Sequence, residues 1–439
     1  RMKPGFYIIM AAQFFSSLAD NALLIAAIAL LYQLQAPAWM TPLLKLFFVL
    51  SYVVLAAFVG AFADSRPKGR VMFLTNSIKI IGCLTMLFNA HPLLAYAIVG
   101  FGAAAYSPAK YGILTELLPA ERLVAANGWI EGLTVASIIL GTVLGGALIS
   151  DHVALALLRI DFPFLQTSID TPPEAAISVI AGVYLIAALF NLRIPETGAT
   201  YPEQEKNPLR LISDFQHCFT TLWKDRLGQI SLAVTTLFWG AGATLQFIVL
   251  KWAESALGMN LSQGAILQAI VAVGVAGGAV WAAWRVPLKK SLQVLIYGVI
   301  MGAVVMVMAI YRRDLIPNIE IDLGLFHAPL YLLIAYLFLM MIGWMSGYFV
   351  VPMNALLQHR GHVLLSAGHS IAVQNFNENL SVLAMLCLYS ILIWLNVPVS
   401  IVILLFGSCV CLLMIYIIRW HNRNQAEYDS LHLIGEHKH

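Results

Sequence analysis

The sequence predicts an all-α membrane protein whose twelve transmembrane helices form two halves of six. The 439-residue chain is 60% hydrophobic and 11% charged, whereas soluble proteins average about 25% charged residues. Its apolar residues occur in blocks of the ~20 residues that a helix needs to cross a bilayer. The longest polar stretch, residues 194–227, lies in the middle of the chain. These observations exclude an ordinary soluble fold.

Twelve apolar runs are separated by charged residues and by clusters of Pro, Gly and Asn. The run 151–173 is broken by Arg159, Asp161 and Pro163, so we expect a loop there rather than a span. The predicted spans are 6–34, 42–63, 71–90, 92–114, 124–150, 174–192, 228–250, 263–284, 291–311, 328–357, 366–395 and 398–419.

The spans group into two halves on either side of the polar stretch. The first apolar run leads directly into further spans, so we expect no cleavable signal peptide. The predicted parts are an N-terminal half at 1–193, a linker at 194–227, a C-terminal half at 228–419 and a tail at 420–439.

Lysine and arginine residues are concentrated on one side of these spans. The side that holds both termini carries 18 of them, and the other side carries 4. Because cytoplasmic loops are enriched in Lys and Arg, we expect both termini in the cytoplasm. The net charge of +3 is too small to indicate binding to nucleic acid.

Among the ionisable side chains within the predicted spans, five are candidate functional residues: Asp20, Lys79, Lys110, Glu131 and Glu378. A charged residue at the centre of a membrane helix costs at least ~2.5–3.5 kcal/mol, so it is retained where it faces a partner or a water-filled path. The five residues therefore predict an internal polar route, which is typical of a transporter.

Two pairings follow from depth in the membrane. Asp20, next to Asn21, and Lys79 both lie near the middle of their spans, so they can form either a polar anchor for a ligand or a structural ion pair. Lys110 and Glu131 lie at similar depths near the cytoplasmic side. They can pair or bind phosphate, or Lys110 can simply extend to the membrane interface.

Span eleven is rich in polar side chains. Gln374 and Asn377 lie on one helical stripe that Glu378 flanks. Such a patch faces protein or water rather than lipid. We expect it to line a cavity, and the alternative is hydrogen bonding between helices.

The segment between spans two and three carries a Gly-x-x-x-Asp motif followed by a glycine between basic residues: Gly60, Asp64, Lys68, Gly69 and Arg70. It resembles the signature loop of the major facilitator superfamily, whose plan of two six-helix halves the predicted fold shares. We expect Gly60 to allow a close helix approach and the loop to act in gating. The alternative is a solvated cytoplasmic loop.

Several strings resemble the bacterial lysophospholipid transporter family. They are DNALL at 20–24, YSPAKYG at 106–112, FWGAG at 238–242, VPMNALLQ at 351–358 and IAVQN at 371–375. The resemblance implies transport of lysophosphatidylethanolamine and lysophosphatidylglycerol from the outer to the inner leaflet of the bacterial inner membrane. An acyltransferase/acyl-carrier-protein synthetase would then re-acylate them.

The same resemblance carries the family's charged positions over to the five candidate ionisable residues in the spans. One position departs from the family, because Gln246 stands in span seven where the family can place an arginine.

No enzyme signature is present: the chain lacks a Gly-x-Ser-x-Gly elbow, a phosphate-binding Gly-x4-Gly-Lys loop and a His-Glu-x-x-His motif. The five cysteines show no metal-ligand spacing. We therefore expect no catalytic activity, no cofactor and no metal, and we expect a monomer. The alternative function is a proton-coupled exporter of drugs or siderophores of the major facilitator type.

Overall fold

The computed structural model describes residues 4–118, 123–159, 171–198, 206–365 and 367–434. These residues form fifteen α-helices and one short β-hairpin, β1 (Glu320–Asp322) paired antiparallel with β2 (His327–Pro329). In the first half of the chain the helices are α1 (Pro4–Gln33), α2 (Thr41–Val54), α3 (Val59–Asp64), α4 (Lys68–Leu87), α5 (Pro92–Leu117), α6 (Leu123–Leu148), α7 (Asp151–Leu158) and α8 (Pro172–Leu192). They are followed by α9 (Pro208–Lys224), α10 (Arg226–Leu257), α11 (Leu261–Arg285), α12 (Ile296–Met308), α13 (Leu330–Leu364), α14 (Ala367–Trp394) and α15 (Val399–Glu427).

Helices lie at the positions of the predicted spans, but not all of them are long enough to cross a membrane alone. Among the described residues, ten helical segments are long and apolar enough to do so. Gly132–Leu148 and Asp151–Leu158, which meet at a bend of 67°, satisfy the same criteria only when they are taken together. The shorter apolar helix Ala38–Val54 occupies the position of span two. The predicted all-α membrane fold is confirmed.

The prediction of a loop over 151–173 is wrong for its first part. Residues Asp151–Leu158 form α7, which directly follows the bend after α6. After Asp151 and His152, the residues of this helix are all apolar. The negative charge of Asp151 in the first turn interacts favourably with the positive end of the helix dipole. Residues 160–170 lie outside the described part of the chain.

The predicted linker contains an amphipathic helix, α9. Its buried residues Cys218 and Leu222 are one turn apart, so they lie on the same face and pack against Leu232, Leu357 and Val373. The polar stretch is therefore partly ordered against the second half of the chain.

The chain divides into an N-terminal unit, residues 1–213, and a C-terminal unit, residues 214–439. In the N-terminal unit, α1 packs against α6 and α8, α4 packs against α5 and α8, and α2 packs against α5. In the C-terminal unit the main pairs are α11 with α13, α12 with α15 and α10 with α14. Each unit is a separate helical bundle with its own core.

Glycines bring α11 and α13 into close contact. A Cβ atom at Gly278 would overlap the carbonyl oxygen of Trp344, and one at Gly347 would overlap that of Val275. Gly274 and Gly343 face each other along the same line. Small residues four positions apart on both helices let the backbones approach, as is common in membrane bundles.

A buried ion pair joins α10 to the end of α13. The Asp225 carboxylate accepts a hydrogen bond from the Gly228 backbone N–H at 2.8 Å and so caps α10. The Arg360 guanidinium donates to the two oxygens of Asp225 at 2.8 and 2.9 Å, and its side chain is 4% exposed. Such two-point contacts fix orientation as well as distance.

Gly278→Ala should destabilise the protein by roughly 1–3 kcal/mol, because the added methyl group must push α11 away from α13. Gly242→Ala is the matched control, since a Cβ atom at this helical position meets nothing within 4 Å among the described residues. Thermal unfolding of the two purified variants in detergent measures the difference. Equal midpoints would contradict the close contact.

Arg360→Met should lower stability by roughly 3 kcal/mol, since it leaves the mostly buried Asp225 carboxylate without its cation. Arg226→Met is the control, because the Arg226–Glu427 pair is exposed and such pairs contribute at most about 1 kcal/mol. The same unfolding measurement applies. If Arg226→Met lost as much stability as Arg360→Met, or more, the contribution assigned to the Asp225–Arg360 pair would be wrong.

Candidate functional site

The acidic residue of span one lies where three helices of the N-terminal unit meet. Asp20 Oδ2, on α1, is 3.1 Å from the Lys79 Nζ on α4. The Tyr184 hydroxyl on α8 donates to Asp20 Oδ1 at 2.5 Å. The Asp20 side chain is 22% exposed, whereas that of Lys79 is 2% exposed. The structure therefore brings together the pair that depth in the membrane suggested.

The buried Lys79 ammonium binds several groups of the protein. Besides Asp20, it donates to Ser16 Oγ at 2.9 Å, and Ser16 in turn donates to Asn76 Oδ1 at 2.7 Å. The rings of Tyr106 and Tyr184 lie 5.1 and 5.6 Å from the ammonium. Lys79 thus holds the Asp20 carboxylate in place, and Asp20 is the more exposed member of the pair.

Further polar atoms surround this pair. Gln13 donates through Nε2 to Thr134 Oγ1 at 3.2 Å. Among the described residues, Gln13 Oε1, Asn76 Nδ2 and the Tyr106 hydroxyl are buried and have no hydrogen-bond partner. Because buried polar atoms are normally hydrogen-bonded, these atoms mark a region that suits water or a polar ligand group.

Three further candidate residues lie in the first half of the chain: Asn21, Lys110 and Glu131. Asn21 donates to the Ser17 carbonyl at 2.8 Å, so its amide is partly engaged with its own helix. Lys110 is partly buried on α5. The side chain of Glu131 lies outside the described part of the structure, so the Lys110–Glu131 pairing stays a prediction.

Lys68 does not lie in a solvated loop. It begins α4, is 3% exposed, and places Nζ 3.1 Å from Glu116 Oε1 on α5. It also donates to the Ala63 carbonyl at 3.2 Å. The other oxygen of Glu116 accepts a hydrogen bond from the Thr197 hydroxyl at 2.7 Å. A buried polar cluster therefore ties α3, α4, α5 and the segment after α8 together.

Within the described part of the N-terminal unit, no helix approaches Gly60 closely. Gly60 is exposed, and among the described residues nothing lies within 4 Å of a Cβ atom built there. The tight position is Gly69 instead, where a Cβ atom would lie 3.2 Å from Ile194 Cγ2. Arg70 is exposed, and the side chain of Asp64 lies outside the described part.

The polar side chains of span eleven form hydrogen bonds to two different helices, α13 and α9. Gln374 Nε2 donates to Asn354 Oδ1 on α13 at 3.1 Å and to Glu378 Oε1 at 2.8 Å. Asn377 accepts a hydrogen bond from the Trp223 indole N–H at 3.2 Å, so it contacts the end of α9. Glu378 is 8% exposed. Hydrogen bonding between helices thus explains Asn377, and Gln374 and Glu378 form a separate cluster.

Sequence reasoning missed three residues. Tyr184 and Glu116 bind candidate residues from other helices, and spacing along the chain gives no signal for either. Lys45 did carry a signal, because it lies within the apolar run of span two. Its ammonium lies 5.3 Å from the centre of the Phe48 ring.

Gln246, which stands where the resemblance allows an arginine, is partly buried on α10. Its backbone carbonyl accepts a hydrogen bond from Gln268 Nε2 at 2.6 Å, which links α10 to α11.

Comparison with known proteins agrees with this architecture. The family profile of the Major Facilitator Superfamily matches residues 9–381. A bacterial homolog of the human lysosomal transporter Spinster, in an inward-facing and unoccupied conformation, has a TM-score of 0.65 at 15% identity and covers 97% of this chain and 99% of its own. A POT family transporter in complex with 5-aminolevulinic acid has a TM-score of 0.67 at 13% identity and covers 96% of each chain. At such identities the structures share the fold alone. The family profile places the chain in the class of Major Facilitator Superfamily membrane proteins.

Sequence relatives are more specific. The lysophospholipid transporter LplT of Yersinia enterocolitica serotype O:8 / biotype 1B is 42% identical over 399 residues, which is 91% of this chain and 89% of the relative. The lysophospholipid transporter LplT of Shigella boydii serotype 4 is 39% identical over 421 residues, which is 96% of each. The chain therefore belongs to the Major Facilitator Superfamily and, within it, to the family of these lysophospholipid transporters.

Asp20→Asn should lower thermal stability, because it leaves the buried Lys79 ammonium without a counter-charge, at a cost of roughly 3–5 kcal/mol. Adding Lys79→Met should restore much of that stability, since both charges are then gone. The measurement is unfolding of the single and double variants in detergent. If the double variant were as unstable as Asp20→Asn, the ion pair would not explain the loss.

Proposed function

We propose that this protein transports lysophospholipids from the outer to the inner leaflet of the bacterial inner membrane. The observation that carries the proposal is the 42% identity over 91% of the chain to a relative named lysophospholipid transporter. The N-terminal unit supplies a suitable polar group within an apolar bundle, the partly exposed Asp20 carboxylate.

The chemistry of the substrate fits this group. A lysophospholipid has one acyl chain, one phosphate and, in lysophosphatidylethanolamine, an ammonium that a carboxylate can bind by a charge-assisted hydrogen bond. We expect lysophosphatidylethanolamine and lysophosphatidylglycerol as substrates. Lys110, Glu131, Gln374 and Glu378 are the other groups proposed to line the polar route.

The orientation and the partners belong to the same proposal. The excess of 18 over 4 basic residues supports cytoplasmic termini. Lipids delivered to the inner leaflet would then be substrates for the acyltransferase/acyl-carrier-protein synthetase. The protein itself is proposed to act as a monomer, without a cofactor and without catalysing a reaction.

Spheroplasts that contain the acyltransferase/acyl-carrier-protein synthetase and this protein should convert added radiolabelled lysophosphatidylethanolamine to the diacyl lipid. The controls are cells with an empty vector and cells that make this protein without the acyltransferase. Conversion equal to that of the empty vector would overturn the proposed function.

Uptake should depend weakly on the proton gradient. The intramembrane acids and lysines nearly balance, and Asp20 is already paired with Lys79, so we expect re-acylation rather than proton entry to give the process its direction. The measurement is the initial rate of conversion in spheroplasts with and without a protonophore. Strong inhibition would favour the proton-coupled exporter instead.

A further inference from the structure

Lys45, the basic residue that sequence reasoning missed, lies on the face of α2 that packs against the rest of the N-terminal unit. Lys45, Phe48 and Tyr52 are three and four residues apart, so they share one face of the helix. The Phe48 ring lies 5.0 Å from that of Tyr96 on α5, and Phe48 is 6% exposed. Lys45 therefore lies on the side of α2 that packs against protein rather than against lipid.

The Lys45 ammonium is directed into the membrane. With the proposed orientation, α2 begins at its outer end with Thr41, and Phe48 lies one turn deeper than Lys45. The ammonium lies over the Phe48 ring, 5.3 Å from its centre. A lysine that extended to the interface would point the other way, toward the start of the helix.

This ammonium has weak compensation from the protein. Throughout the described parts of the chain, no carboxylate forms an ion pair with Lys45 and no atom accepts a hydrogen bond from it; its contact is the Phe48 ring. The Asp20 carboxylate already binds Lys79 and Tyr184. A cation in a membrane span that lacks its own anion marks a functional site, and an anionic ligand group would complete it.

We propose that Lys45 binds the phosphate of the lysophospholipid headgroup, while the exposed edge of Asp20 faces the headgroup's ammonium when it has one. The assignment rests on the proposed function and adds to it the residue that recognises the phosphate. Lys79 is not assigned this role, because its ammonium is buried and already bonds to Asp20 and Ser16. A cation and an anion on neighbouring helices match the two charges of phosphoethanolamine, and the cation alone matches phosphoglycerol.

The test is binding to the purified full-length protein in detergent, with affinities obtained from ligand-dependent thermal stabilisation. The probes are lysophosphatidylethanolamine, lysophosphatidylglycerol and the monoacylglycerol with the same acyl chain, which lacks phosphate. Lys45→Met should weaken the binding of both lysophospholipids by about tenfold or more, as expected for loss of one charge-assisted hydrogen bond. It should leave the affinity for monoacylglycerol unchanged. Lys45→Arg should bind like the wild type.

The matched control is Lys251→Met, which removes a partly buried lysine near the C-terminal end of α10. It should leave the affinities for all three lipids unchanged. Equal weakening of all three lipids by Lys45→Met, or no weakening of any, would overturn the assignment to phosphate. A wild-type protein that binds neither lysophospholipid would instead overturn the proposed function, and the Lys45 assignment with it. The two failures are therefore distinguishable.

Discussion

The requirement that a charge inside the membrane be compensated determines the arrangement of the N-terminal unit. The Asp20–Lys79 pair joins α1 to α4, and Tyr184 adds α8 through its hydrogen bond to the same carboxylate. Because removing either charge leaves the other uncompensated, the three helices are held in one register. This arrangement also leaves the Asp20 carboxylate partly exposed within a mostly apolar helical bundle.

The degree of exposure distinguishes two kinds of charged residue. Lys68 and Arg360 are each 3% exposed and bind carboxylates on neighbouring elements. They stabilise the ends of helices. The Asp20 side chain is 22% exposed and Lys45 is partly buried, so these two are the charged groups proposed to bind the headgroup.

Much of this was predictable from the sequence, since hydropathy gives the spans and depth along a span gives pairs such as Asp20 with Lys79. The direction a side chain faces is not encoded in depth, so Tyr184 could not be found. The burial of Lys68 depends on Glu116, which lies on another helix, and positive-inside statistics count the lysine as exposed. Gly60 and Gly69 both fit the motif, and packing against Ile194 alone distinguishes them.

The Asp20–Lys79 pair joins two helices of the N-terminal unit, and in the proposed function Asp20 also faces the substrate. Exchanging the charges in D20K/K79E tests both parts, because the swap keeps an ion pair but places a cation where the headgroup's ammonium would bind. The account predicts that the double variant regains the thermal stability that D20K alone loses, yet fails to transport lysophosphatidylethanolamine. Recovery of transport together with stability would contradict it, since the pair would then be structural only.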